Sequence, residues 1–277
     1  MILKPQATLL TLALASSFAF AATALRAQEA AADDQNETAE LAKKLANPVA
    51  ALISVPIQNN FDFGAGPSGQ GFQYKVNVQP VVPFSLSDNW NLISRTIVPF
   101  VSQDDVIGRS SQYGLSDTLQ SLFFSPKAPT GGGWIWGAGP VLMLPTATED
   151  VLGTGKWGAG PTALVLKQQN GWTCGGLVNH LWSYAGDGGR ANVNSTFVQP
   201  FVSYTTKTYT TLGLNAESTY DWQRGQWTVP LNAKVAQLVK IGKLPVQFTL
   251  GARYYADGPG GGPEWGLRFA VTFLFPK

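Results

Sequence analysis

The sequence predicts an all-β fold, an antiparallel up-and-down transmembrane β-barrel of about twelve strands, and three observations carry that expectation. The first is a period of two. In "FQYKVNVQPVVPFSLSDNW", Phe72, Tyr74, Val76 and Val78 alternate with Gln73, Lys75, Asn77 and Gln79. Strict alternation of this kind marks a strand with one apolar and one polar face. The run is about fifteen residues long, whereas strands of soluble domains have roughly five or six. The second observation is composition. Of 277 residues only 13% are charged and 12% are aromatic, about half the charge of an average globular chain, so polar and apolar residues are finely interleaved. The third is an alternation of long and short connections along the chain.

From the N-terminus, Lys4 precedes the apolar stretch "ATLLTLALASSFAFAATAL", and small residues then lead to "RAQEAAADDQ". Residues 1–27 read as a signal peptide, with cleavage after Ala24 or Ala27. Residues 28–48 form a periplasmic linker and short helix. "QEAAADDQNET" is acidic and lacks a core pattern, and "TAELAKKLANP" spaces Leu41 and Leu45 by one turn before an Asn-Pro stop. A plug or a partner contact is the sharper role for that helix; a solvated lead-in is the plainer one.

Residues 49–277 are expected to form the barrel. Apolar-alternating runs fall at 51–61, 72–86, 90–101, 114–124, 134–145, 157–168, 172–184, 193–205, 209–222, 226–239, 245–256 and 264–275. Each has roughly the nine to eleven residues that a tilted strand needs to cross a membrane. The connections "DFGAGPSGQG", "SQDDVIGRSSQYG", "TATEDVLGTGK", "AGDGGRAN" and "DGPGGGPE" are long, and "SDN", "KQQNG", "TTKT" and "KIGKL" are tight. Short periplasmic turns and longer external loops are the pattern of bacterial outer-membrane barrels. "SPKAPTGGG" and "QRGQ" are the two exceptions. Pro80 and Pro83 lack the ladder donor, so a bulge is expected near them, with a regular ladder only from Phe72 to Gln79.

All nine tryptophans lie near run ends: Trp90, Trp134, Trp136 and Trp172 beside short turns, and Trp157, Trp182, Trp222, Trp227 and Trp265 beside long loops. Aromatic girdles at two membrane interfaces take such positions. The last run, "EWGLRFAVTFLFPK", puts Trp265, Leu267, Phe269, Val271, Phe273 and Phe275 on one face. It resembles the C-terminal strand by which the barrel-insertion machinery takes up outer-membrane barrels, here followed by Pro276 and Lys277.

Several stretches are similar to one bacterial outer-membrane family: "LAKKLANPVAALISVPIQNNFDFG", "WIWGAGPVLMLPTAT", "KWGAGPTALVLKQ", "ESTYDWQRGQWTVPLN" and "GARYYADGPGGGPEWGLRF" among them. The chain resembles, from Leu41 to Lys277, the family labelled putative MetA-pathway of phenol degradation. That resemblance implies a barrel and uptake of aromatic or other small hydrophobic compounds. It brings no catalytic residues.

If the apolar set faces lipid, the polar set faces the lumen. Lys75, Arg95, Asp117, Glu217, Lys234, Arg253 and Arg268 are the candidate lumen-lining charges, with Asp221 among the acids. A Lys or Arg facing lipid at the midplane would cost about 2–4 kcal/mol. Such charges either bridge across the lumen and fill it, or form a cationic constriction that passes small neutral or anionic solutes.

A hydrolase needs a base with a nucleophile in reach. The one histidine, His180, has Ser183 and Asn179 on the opposite strand face and Trp182 two residues on. No catalytic residue is therefore assigned. The single cysteine, Cys174, excludes an internal disulfide, no metal or cofactor motif stands out, and a net charge of +2 gives no argument for nucleic acid. The expected partners are outer-membrane lipid, a small-molecule solute and the insertion machinery. The expected function is an outer-membrane channel or transporter for small solutes, with a blocked structural or surface-interaction barrel as the alternative and a lipid hydrolase as a third reading.

Overall fold

The computed structural model describes residues 36–276. The expected signal peptide, residues 1–27, and residues 28–35 of the expected linker lie outside the described residues. The chain divides into two units, Met1–Leu41 and Ala42–Lys277, and helical residues 36–45 run across that boundary.

Fifteen strand segments follow: β1 (Ile53–Ala65), β2 (Gly71–Val78), β3 (Val81–Ser85), β4 (Trp90–Asp104), β5 (Ser111–Leu115), β6 (Thr118–Pro126), β7 (Trp134–Leu144), β8 (Lys156–Gln169), β9 (Trp172–Gly186), β10 (Asn194–Thr205), β11 (Thr210–Ala216), β12 (Ser218–Asp221), β13 (Gln226–Ile241), β14 (Leu244–Asp257) and β15 (Trp265–Phe275). They make twelve staves, because β2 with β3, β5 with β6, and β11 with β12 are each one crossing broken in two. Every pairing is antiparallel. β1 pairs with β15 from Ile53↔Phe275 to Phe63↔Trp265, which closes the sheet into a barrel. Closure removes the unpaired edge that an open sheet would expose.

The three breaks have two causes. Between β2 and β3 the register does not slip: Val78 faces Val98 and Val81 faces Arg95, three residues on each side. The expected bulge is absent. The ladder lapses because Pro80 has no N–H to give, while its carbonyl still accepts from the Thr96 N–H at 3.1 Å. Pairing then resumes through Pro83, which faces Ile93. The β11/β12 break at Glu217 is of the same kind, since Glu217 donates to the Pro230 carbonyl at 3.0 Å and Pro230 cannot donate back. Between β5 and β6 the register does slip. Phe100 faces Leu115 and Ile97 faces Leu119, so one strand carries an extra residue beside Asp117, a β-bulge of the kind that re-aims a side chain.

Turn chemistry follows the sequence. Asn170 and Gly171 both take positive φ, 51° and 81°, in the two-residue turn between β8 and β9, the geometry that suits right-twisted hairpins. Gly242, at φ 63°, opens the equally tight β13–β14 turn. The long connections lie at the other end of the barrel, and the longest, between β7 and β8, carries a 3-10 turn at Asp150–Leu152. Ile53 and Phe275 share the short-turn end.

Strand β15 shows the alternation cleanly. Gly266, Arg268, Ala270, Thr272 and Leu274 are buried, while Trp265, Leu267, Phe269 and Phe275 are exposed. All nine tryptophans are exposed on the outer surface near strand or turn ends. A barrel with this apolar exterior should resist detergent. Unboiled and boiled protein are expected to migrate differently on a detergent gel, and identical migration would count against a closed barrel.

Candidate functional site

The lumen has two unlike walls. On one side, Ile93 of β4, Phe123 of β6, Leu164 and Leu166 of β8 and Leu177 of β9 form an apolar cluster, with Phe197 and Phe201 of β10 packed against it. Val49, from the segment that precedes β1, belongs to the same cluster. The Lys43 carbonyl accepts from Gln168 Nε2 at 2.9 Å. The residues leading into β1 therefore occupy lumen space against this wall. Gly137 makes room for them, since a Cβ there would come within 3.2 Å of Val49.

On the other side, β1, β2 and β11–β15 build a charged belt. The register places Gly213, Lys234, Gly251, Arg268, Asn60 and Lys75 in one row across six staves. The next row runs Asn215, Asn232, Arg253, Gly266, Asp62 and Gln73. Long charged side chains alternate with lumen-facing glycines. A Cβ on Gly213 would lie 2.9 Å from the Lys234 side chain; on Gly266 it would collide with Asp62 Oδ1.

Glu217 and Arg253 are the hubs. Arg268 donates from Nη1 to Glu217 Oε1 at 2.8 Å and from Nη2 to Oε2 at 2.9 Å. Arg253 reaches Glu217 Oε2 at 3.0 Å, Asn232 Oδ1 at 2.9 Å, Tyr255 Oη at 3.2 Å and both Asp62 oxygens at 3.4 Å. Asn60 Oδ1 accepts from both arginines. Planar guanidinium forks suit this multidentate pairing. Arg95 approaches from β4 and donates to Gln79 Oε1 at 2.9 Å. Among the described residues, neither Lys75 nor Lys234 is within 4 Å of a carboxylate.

The candidate charges therefore divide. The structure brings Lys75, Arg95, Glu217, Lys234, Arg253 and Arg268 into one belt, and Asp62 joins them. Asp62 falls in the stretch read as a loop, but β1 continues through it to Ala65. The signal was present: Asn60 and Asp62 continue the polar set between Phe61 and Phe63. Asp117 stands apart. At its bulge it accepts from the Thr154 N–H at 2.6 Å and the Thr154 hydroxyl at 2.7 Å, so it fixes the β7–β8 connection. Asp221 also lies outside the belt, capping the Gln223 N–H at 2.8 Å in the β12–β13 turn. Five cations thus face two carboxylates, leaving +3 in the belt.

His180 points outward. Its Nδ1 lies 2.7 Å from Thr196 Oγ1, which also accepts from Trp222 Nε1 at 2.8 Å, and its ring is 4.0 Å from that of Trp182. Ser183 faces the other way and accepts from the Val193 N–H at 2.9 Å.

No protein-family model matches the chain, and no curated protein matches it. Solved structures do. An outer-membrane channel from Pseudomonas putida F1 superposes with a TM-score of 0.64 at 15% identity, covering 81% of this chain and 96% of that one. The chain folds as an outer-membrane β-barrel. The NanC porin is similar at a TM-score of 0.50 and 9% identity, with 80% of this chain and all of the porin covered. At these identities the likeness is one of fold.

Proposed function

We propose that this chain is a bacterial outer-membrane channel for small solutes, with the short turns in the periplasm and the long loops outside, and that it favours aromatic or anionic compounds. The observation that carries the proposal is the lumen itself: a belt with an excess of three positive charges faces an apolar wall. A barrel that only needed filling would gain nothing from lysines without a carboxylate partner, because each adds a like charge beside the arginines. The structural resemblance to an outer-membrane channel and a porin supports the reading, and so does the sequence resemblance to the phenol-degradation family. The nine exposed tryptophans, at both ends, suit the two membrane interfaces.

A second reading is favoured by a specific observation. Val49 and its neighbours fill part of the lumen, and the Arg253–Glu217–Arg268 network fills another part. On this reading the barrel is blocked and its external loops do the work.

Reconstitution into planar bilayers separates the two. Discrete conductance steps with anion preference are expected, and Lys234→Glu should move the preference toward cations, because it turns +3 into +1. A silent barrel of confirmed fold would favour the blocked reading.

A further inference from the structure

We infer that Glu217 is the resident counter-ion of a carboxylate subsite, and that this subsite takes amphipathic monoanions, an aryl or alkyl body bearing one carboxylate. The inference rests on the channel reading and goes further by naming the residue that sets its selectivity.

Three features point to it. The first is layering. Glu217 is 21% exposed, whereas its guanidinium partners are 9–10% exposed, so the carboxylate is the more open side of the cluster. The second is convergence. Besides the two arginines, Lys234 and Lys75 stand in the row of Arg268, on β13 and β2, and Arg95 joins the belt from β4; Glu217 is the carboxylate acting on Lys234 and Arg95, and Lys75 feels Asp62 first and Glu217 second. Five cations from several sides of the lumen share two carboxylates, Glu217 and Asp62, and three of those cations have no carboxylate within 4 Å among the described residues. A third carboxylate entering the belt would meet Lys75, Lys234 and Arg95 as the cations without a carboxylate within 4 Å, with Glu217 as its competitor for all three and Asp62 for Lys75. The third is the neighbouring surface. Arg95 faces Val81 across the ladder and stands two residues from Ile93, and Phe201 faces Asn215, whose amide donates to Glu217 at 3.4 Å. An anion held by the free cations thus has apolar side chains beside it for its body.

The local fold explains why a glutamate can sit there. Glu217 occupies the single-residue gap between β11 and β12, where the opposed Pro230 leaves the ladder incomplete. Gly213 and Gly251, which flank Lys234 in the same row on the adjoining strands, give it space to lie along the wall.

The test uses the full-length folded barrel in detergent, with benzoate as probe and benzamide as its neutral counterpart, by titration calorimetry. Glu217→Gln keeps an oxygen acceptor for the arginines and removes the competing charge. Benzoate should bind about tenfold more tightly to it than to the wild type, the scale of one charge interaction in a partly wet site, and benzamide should not change. Lys75→Gln combined with Lys234→Gln should weaken benzoate by about tenfold or more. Should Glu217→Gln fail to give the folded band on an unboiled gel, the lysine pair decides alone. Unchanged benzoate affinity in the folded variants, or an equal gain for benzamide, would overturn the inference. Because binding is read without a membrane, a barrel that binds benzoate as described but is silent in bilayers sinks the channel reading and leaves the subsite standing.

Discussion

Arg253→Met should destabilise the barrel by about 3–5 kcal/mol, the usual scale for removing one partner of a buried ion pair. Arg253 is only 10% exposed and Asp62 3% exposed. Its guanidinium is the junction of Asp62, Asn60, Asn232, Glu217 and Tyr255. Methionine fills a similar volume, so the loss comes from stranded acceptors rather than from a cavity. Asp62 has no other ion pair within 4 Å among the described residues, and it would be left charged among neighbours packed closely enough to forbid a Cβ on Gly266. Urea unfolding in lipid vesicles, followed by tryptophan fluorescence, measures the loss. Adding Asp62→Asn to Arg253→Met should recover part of it, because the second change removes the stranded charge; strict additivity of the two would show that they are not coupled. The same geometry bears on how selectivity should be probed. Arg253→Glu would put a third carboxylate against Asp62 and Glu217 and break the network, whereas Lys234 has no ion pair to lose.

Much of this architecture was legible in the sequence because a barrel strand reports its own orientation. Alternation places Lys75, Lys234, Arg253 and Arg268 on the lumen face without knowledge of any partner strand, and the positions of the tryptophans follow from strand ends alone. What was hidden depends on register. That Gly213, Gly251 and Gly266 are the spaces into which Lys234, Arg268 and Asp62 fit becomes visible only when neighbouring strands are aligned. The bulge beside Asp117 is an instance: a one-residue slip between β4 and β5/β6 has no signature in either strand by itself. At Pro80 the local rule overreached. Proline removes one donor, but the flanking pairs Val78↔Val98 and Val81↔Arg95 hold the register through the gap. The packing of Val49 into the lumen was equally out of reach, since a lone apolar residue before the first strand has no period to reveal its partner.

Gly160→Ala should be as damaging as the loss of Arg253, although it removes no contact. The sequence "WGAGP" occurs twice, at 136–140 and 157–161, and the antiparallel pairing of β7 with β8 sets Pro140 directly opposite Pro161. Each copy turns its glycines to the lumen and its proline outward. Both outer flanks of this strand pair lose ladder pairing at the same height: β6–β7 lapses between Ser121 and Phe124, and β8–β9 between Ala159 and Thr162. There the backbones approach closely enough that a Cβ on Gly160 would collide with the His180 carbonyl oxygen, and one on Gly139 with the Leu122 carbonyl oxygen. A backbone oxygen has no rotamer by which to move aside, so the strands themselves must part. Overpacking typically costs about 1–3 kcal/mol and more where relaxation is blocked, so about 3 kcal/mol or more is expected here. Gly188→Ala is the control, because a Cβ there meets nothing within 4 Å, and surface changes of that kind stay within about 0.5 kcal/mol. Urea midpoints in vesicles, with the folded fraction read from unboiled gels, give the comparison. If Gly160→Ala unfolds at the same midpoint as Gly188→Ala, the close strand approach at the repeated motif is not what the stability of this wall depends on.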